Sequence, residues 1–511
     1  MSQGTLDPFQ KPSQPTPADE VAAPANRWWV LVVISIAQLM VVLDATIVTV
    51  ALPDAEADLH MSEANRQWVV TAYALTFGAL LLLGGRVADF WGRKRAFVWG
   101  MVGFAVASAI GGAAQNEGML FGARALQGVF AALLAPAALA LLTVTFTEAA
   151  ERAKAFAVYG GISAGGAAIG LLLGGVLTEY ASWRWCLLVN VPIAVLAIAF
   201  AMPLLRESRA EGDTKYDIPG AITVTLGLAA LVYGFTRAAE ESWSDSLTII
   251  MLVAGVLLLA LFVVIQQRSA HALLPLRIVL DRNRGGSLLA MLLIGAAFIG
   301  STLFMIYYMR IVLEYGAVKA GAGALGITVG VFITAGASAS LLPKIGPRIP
   351  LVVGSLLSAG GTFWLTFITV ERQYLTHVLP GMVLIGLGLG LVFTAVASTA
   401  LIGVEEHDAG AASALINAVQ QVGGALGTAL LNSFATSAIS DYMSDKEAEL
   451  GPRLADPAIA HKTFVDAQLD GYTTAFAWAV VIMVVGAVVA AVFVNAGKDA
   501  LPKDGAAVHV G

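Results

Sequence analysis

The sequence predicts an all-α membrane protein built as a two-half helical bundle: six spans, two inserted spans, then six more. Three observations carry this. Hydrophobic residues make up 58% of the 511-residue chain and charged residues only 13%, against roughly 45–50% and about 25% in soluble domains. The apolar residues fall into fourteen stretches, each near the length of about 20 residues that crosses a hydrocarbon core of about 30 Å. A faint internal repeat relates the two ends of the chain at an offset of 254 residues.

In order, the stretches are 28–52, 68–85, 96–115, 118–142, 154–178, 185–205, 217–236, 247–266, 286–310, 320–342, 350–370, 377–402, 409–437 and 472–496. The 53 glycines suit helices that approach closely in a lipid bilayer. The first stretch is too long for a signal peptide and follows Asp19 and Glu20 rather than a basic cluster. Residues 1–26, rich in Pro, Ser and Ala, read as a disordered cytoplasmic tail, and 498–511 as a second tail. With both ends in the cytoplasm, the short inner loops carry fifteen Lys and Arg and the outer loops six, among them Lys215 inside and Arg372 outside. That excess fits the positive-inside rule and places the chain in the cytoplasmic membrane. The longest loop, 438–471, would lie outside. Trp28, Trp29, Trp183 and Trp185 read as interface anchors.

The repeat is seen by comparing residues 84–100 with 338–354. Gly92 meets Gly346, Lys94 meets Arg348, Val98 meets Val352 and Gly100 meets Gly354. This equates the link after span 2 with the link after span 10. The halves are then 27–206 and 286–497, with spans 7 and 8 inserted in 207–285. Parallel repeats of this kind typify secondary transporters, whose substrate site lies between the halves near the midplane.

Composition also excludes chemistry. A net charge of −6 argues against nucleic-acid binding. One cysteine, Cys186, forms no internal disulfide, and no metal-ligand cluster is visible. There is no G-x4-G-K-[ST] phosphate loop, no H-E-x-x-H and no G-x-S-x-G. The chain reads as no enzyme and needs no cofactor, which leaves an ion gradient as its energy source.

Four groups of residues stand out. The loop 85–95 reads G-R-V-A-D-F-W-G-R-K-R: Gly85 and Gly92 permit tight turns, while Asp89 sits among Arg86, Arg93, Lys94 and Arg95 as a conformational latch. Asp44 is the one charged residue of span 1, where an acid at a helix centre costs roughly 2.5–3.5 kcal/mol; it is a candidate to carry a proton or pair with a cationic substrate. Arg124 in span 4 lies at similar depth. Asp44 is about 24 Å from the inner edge and Arg124 about 8 Å from the outer one at 1.5 Å per residue, so the two can meet. Span 5 carries Gly161, Gly165, Gly166, Gly170, Gly174 and Gly175, a face for close helix approach or sealing. Candidates for lining a cavity are Gln38, Thr46 and Thr49 in span 1, Tyr307 and Tyr308 in span 9, and Asn417, Gln420 and Gln421 in span 13.

These motifs resemble those of the major facilitator superfamily. The 85–95 loop is similar to its signature G-x-L-A-D-R-x-G-R-K, with Val87 and Phe90 at two usual Leu and Arg positions. L-D-A-T-I-V-T-V-A-L-P at 43–53, R-A-L-Q-G at 124–128, G-L-L-L-G-G at 170–175, W-R-W-C-L-L-V-N-V-P at 183–192 and the stretch 410–427 resemble its fourteen-helix drug:proton antiporters. Leu171 stands at the usual Pro of the fifth-helix motif, and Gln420 where relatives often carry Arg. The resemblance implies a working monomer that exports hydrophobic or amphipathic drugs or antibiotics, cationic ones suiting Asp44, in exchange for protons. It also implies that Arg124 takes part in proton transfer. The rival readings are an importer of a small metabolite by symport, and a membrane-embedded enzyme or sensor. The second rival predicts a catalytic constellation or a soluble domain, and neither is visible.

Overall fold

In the computed structural model, which describes residues 26–146, 148–209, 217–269, 272–274, 276–370, 374–400, 402 and 409–497, every predicted span is helix. The two tails (Asn26 apart), Lys215 and Arg372 lie outside the described residues. The helices are α1 (Arg27–Leu59), α2 (Trp68–Trp91), α3 (Arg93–Gly112), α4 (Glu117–Thr145), α5 (Ala149–Tyr180), α6 (Asn190–Leu204), α7 (Ile218–Glu240), α8 (Ser246–Arg268), α9 (Arg282–Tyr307), α10 (Ala317–Ile345), α11 (Arg348–Trp364), α12 (Leu379–Ala400), α13 (Ala409–Leu450) and α14 (Pro457–Phe493). Thirteen of the spans are long and apolar enough to cross a membrane; the fourteenth, α5, is described as an apolar run over Gly165–Tyr180. Helix is the expected answer in lipid, where each backbone N–H must find its carbonyl within the segment.

The ends have local causes. Aspartates begin several helices by accepting backbone N–H bonds: Asp217 from Gly220, Asp245 from Thr248, Asp281 from Asn283 and Arg284, and Asp456 from Ala458. Such caps contribute about 1 kcal/mol each. α1 runs past its predicted end at 52 because Pro53, Asp54, Glu56 and Asp58 leave the oil without leaving the helix; His60, at φ 52°, ends it. The segment 438–471, expected as a loop, is helix apart from the turn Gly451–Ala455. α13 and α14, of 42 and 37 residues, reach about 63 and 55 Å at 1.5 Å per residue. Both therefore project well beyond a core of about 30 Å. Hydropathy marks where a helix leaves the membrane, not where it stops.

Packing repeats across the two halves. α1 packs on α5, α2 and α3 on α4, and α3 on α6; correspondingly α9 packs on α13, α10 and α11 on α12, and α11 on α14. The two equated links share their geometry, since Gly92 (φ 127°) and Gly346 (φ 74°) both adopt positive φ, where a Cβ is strained. The halves meet along two seams, α2 with α13 and α5 with α10. The inserted hairpin α7–α8 lies over the first seam. Leu228 and Val232 of α7 form one apolar cluster with Ala74, Leu75 and Ala79 of α2 and Ala425 and Ala429 of α13. Its turn is pinned to the second half by Trp243 stacked on Phe434, which stacks on Trp478.

One end of the bundle, here the tail face, gathers the start of α1 and the end of α14. Arg27 pairs with Glu151 at 2.5 Å, and Arg282 donates to Val492 O at 2.8 Å. The opposite end is the far face. Trp28, Trp29 and Trp185 are exposed like interface anchors, but Trp183 is buried and donates to Asp58 at 3.1 Å. Its indole N–H has a carboxylate partner, which explains the difference.

Candidate functional site

α1, α3, α4 and α6 bring five polar side chains together inside the first half. Asp44 and Arg124 are 0% and 1% exposed, and Arg124 Nη1 donates to Asp44 Oδ2 at 2.6 Å. Gln127 Nε2 and Asn190 Nδ2 donate to Asp44 Oδ1 at 2.9 and 2.8 Å. Both amides also reach Ser108 Oγ, at 2.7 and 3.3 Å. Arg124 further donates to Gln127 Oε1 and, through Nε, to Val69 O, and it lies 4.5 Å over the Tyr73 ring. Each half of an ion pair buried this deeply is costly alone, and together they are tolerable because nearly every donor and lone pair is used. All three groups bonded to Asp44 are donors, an arrangement that suits the carboxylate form. One acceptor is spare: Asn190 Oδ1 has no hydrogen-bond partner.

The predicted meeting of Asp44 and Arg124 is thus present. Asp44 is fully buried in this conformation, enclosed by Gln127, Asn190 and Arg124. Gln127 and Asn190 lie inside stretches whose similarity was noted, yet neither was singled out; Ser108 carried no signal beyond polarity in an apolar span.

The α5 glycines divide by contact. A Cβ at Gly166 would stand 3.1 Å from Leu39 Cδ1, at Gly170 1.9 Å from Thr46 Oγ1, and at Gly174 2.8 Å from Ile47 O, so these three seat α5 on α1. Gly175 meets Ala317 O of α10 at 2.7 Å, and Gly321 of α10 meets Leu171 O at 2.2 Å. Gly161 lies about four turns before Gly175 on the same side of α5, yet among the described residues it, Gly165 and Gly336 of α10 meet nothing within 4 Å. The close-approach face predicted for the whole set therefore holds at Gly166, Gly170, Gly174 and Gly175 and not at Gly161 or Gly165. Among the described residues, the α5–α10 seam is shut toward the far face and open at these glycines toward the tail face.

Of the cavity candidates, Gln38 accepts from Tyr159 Oη at 2.6 Å, Thr46 and Thr49 bond back to carbonyls of their own helix, and Gln420 packs near Gly295. Gln38, Thr46, Thr49, Gln420 and Gln421 are half-buried and Asn417 is exposed. Tyr307 and Tyr308 are fully buried, Tyr307 bonded to Glu56 and Tyr308 to Thr369 O.

In the 85–95 loop, Asp89 pairs with Arg93 at 2.9 Å, one turn away. Lys94 and Arg95 turn instead to the end of α6: Glu207 accepts from Lys94 N at 3.1 Å and pairs with Arg95 at 3.6 Å, while Lys94 Nζ donates to Met202 O. A carboxylate at the first turn of α3 complements the helix dipole. A Cβ at Gly92 would lie 2.6 Å from Glu207 Oε1, and Gly85 faces Pro136 of α4 at 3.5 Å. Glu207 is a partner of the 85–95 loop that hydropathy could not mark, lying 113 positions from Lys94.

The far face holds a second polar set, which joins the halves. Asp54 pairs with Arg310 at 2.5 Å, Glu56 accepts from Tyr307, and Glu179 accepts from Val318 N at 2.8 Å. Glu63 accepts from Gln468 at 2.5 Å, and its carbonyl from Asn432 at 3.0 Å. The first half supplies the acceptors and the second half the donors. The clustered acids of 54–58 were the available signal.

The sequence profile described as Major Facilitator Superfamily matches residues 34–428. The chain is 48% identical over 489 residues to the puromycin resistance protein pur8 of Streptomyces alboniger, with 94% of each covered. It is 38% identical to the cephamycin export protein CmcT of Amycolatopsis lactamdurans, covering 84% of this chain and 89% of that one. Identity to the tetracenomycin C resistance and export protein of Streptomyces glaucescens is 32%, covering 84% and 80%. Among solved structures, the bacterial homolog of the human lysosomal transporter Spinster, in its inward-facing and unoccupied conformation, superposes with a TM-score of 0.61 at 18% identity, covering 94% of this chain and 99% of that one. At that identity the likeness is one of fold.

Proposed function

The chain belongs to the Major Facilitator Superfamily, and from that membership we propose that it exports a hydrophobic or amphipathic antibiotic-like compound in exchange for protons. It is a transporter rather than an enzyme, and works as a monomer in the cell membrane with its tail face toward the cytoplasm. The names of the relatives support export of antibiotics. The single observation behind proton exchange is the buried Asp44–Arg124 pair, an ionisable group kept inside a membrane bundle with a defined partner.

The cycle then runs as follows. With the seam open to the cytoplasm, substrate enters between the halves and leaves Asp44 a carboxylate held by Arg124, Gln127 and Asn190. Rocking of one half against the other exposes the site to the far side. A proton taken up by Asp44 there cancels its charge toward Arg124. Rotation of the Asn190 amide would present its spare Oδ1 to the new O–H. Return to the inward state carries the proton to the cytoplasmic side, where the next substrate to enter expels it as the three donors close again on the carboxylate.

Vesicles carrying the reconstituted protein and an imposed pH gradient test this, with puromycin as first probe within a panel of toxic compounds. Wild type should accumulate at least one probe only with the gradient. Asp44→Asn should lower that gradient-driven rate by at least about tenfold, as loss of one buried charge partner implies. Full pH-driven transport by Asp44→Asn would refute the proton role, and movement in the opposite direction would favour symport.

A further inference from the structure

We propose that Glu56 is a second proton-accepting carboxylate, placed in the far-face seal, whose protonation opens the seal. This rests on the alternating-access reading and not on proton exchange at Asp44. Arg66, in the link between α1 and α2, is 1% exposed. Its Nη1 stands 3.7 Å from Glu56 Oε1, and its Cζ 4.2 Å over the ring of Tyr307. Its Nε and Nη2 have no hydrogen-bond partner. Glu56 also accepts the Tyr307 hydroxyl proton, so one carboxylate of the first half holds both a buried cation and a tyrosine of the second half.

The charged and titratable groups around Glu56 are few. From its own helix comes Asp54, already paired with Arg310 at the end of α9. The α1–α2 link supplies Arg66 and Glu63, the latter bonded to Gln468 of α14. α9 supplies Tyr307, and α14 supplies Tyr472, whose hydroxyl donates to Gln468 Oε1 at 2.7 Å. Glu56 is therefore the carboxylate in ion-pair range of Arg66. Once it is protonated, Arg66 becomes a buried cation without a counter-charge, and two of its nitrogens already lack acceptors. A buried charge stripped of its partner is strongly unfavourable. Water reaches Arg66 when the halves part, so protonation shifts the equilibrium toward the open seal. An acidic far side would thereby favour the state that takes up protons.

The test uses spin labels at exposed far-face positions, Ala57→Cys and Phe464→Cys, in full-length protein carrying Cys186→Ser in lipid nanodiscs. Distances are read across a pH series from about 8 down to about 5, where a carboxylate raised above its ordinary range titrates. The unaltered seal should be short at the higher pH and shift toward long at the lower, by at least about tenfold in the open-to-closed ratio. Glu56→Gln keeps an acceptor for Tyr307 but no charge, and should be long at both. Tyr307→Phe removes one donor to the carboxylate and should move the transition to higher pH, which gives a second reading if Glu56→Gln does not fold. Asp44→Asn should retain the pH response, whatever its transport. A seal insensitive to pH, a short pH-independent distance in Glu56→Gln, an unchanged midpoint in Tyr307→Phe, or a response abolished by Asp44→Asn would each overturn the proposal.

Discussion

Asp44 shows how few atoms decide a membrane acid's behaviour. Its two oxygens accept from a guanidinium and two amides, and Arg124 distributes its own donors over Asp44, Gln127 and a backbone carbonyl. That use of a planar fork is what a lysine lacks. Arg124→Lys should keep the charge and still lose gradient-driven transport by at least about tenfold, since a single ammonium nitrogen cannot reproduce bonds made from two guanidinium nitrogens. Tight export by Arg124→Lys in the vesicle assay would show that charge alone is needed there. The pair itself was legible in the sequence, because two lone charges in apolar spans at matching depth have few other partners. Its companions Ser108, Gln127 and Asn190 were not, because a neutral polar side chain in a membrane helix is as readily a packing contact as part of a site.

At the level of elements, glycines set where helices touch. Gly321 of α10 and Leu171 O of α5 are in backbone contact at the far end of the seam, while Gly336 of α10 faces open space. A Cβ at Gly321 would stand 2.2 Å from that carbonyl, so Gly321→Ala must push the far ends of α5 and α10 apart. It should favour the outward-open state in the labelled-seal measurement, whereas Gly336→Ala should leave the distances unchanged. Helix count and the glycine-rich character of α5 could be read from hydropathy and spacing. Which glycine touches which helix could not, since Gly161 and Gly175 are the same residue type on the same side and differ only in how far the halves have tilted. Helical extension beyond the membrane was equally hidden: the charged residues of 438–471 mark water, and water is compatible with helix or loop.

For the whole molecule, the repeat makes an asymmetry visible. At the offset of 254, Asp44 corresponds to Phe298 and Ser108 to Thr362. In the second half those two residues border a small apolar cavity with Ser301, Met305, Met382 and Met483. One half thus carries an ion pair where the other carries a phenyl ring beside uncharged hydroxyl and thioether groups, which supports confining proton exchange to the first half while the second moves against it. The seam open toward one face and sealed by Asp54, Glu56, Glu63 and Glu179 toward the other is the geometry such a rocking motion requires. The most direct measurement is proton release by purified protein in weakly buffered detergent, read with a pH indicator when the exported compound is added. Wild type should release protons as substrate binds, and Asp44→Asn, with Glu56 alone left to exchange, should release clearly fewer, though it still binds. Undiminished release from Asp44→Asn would contradict proton exchange at this carboxylate.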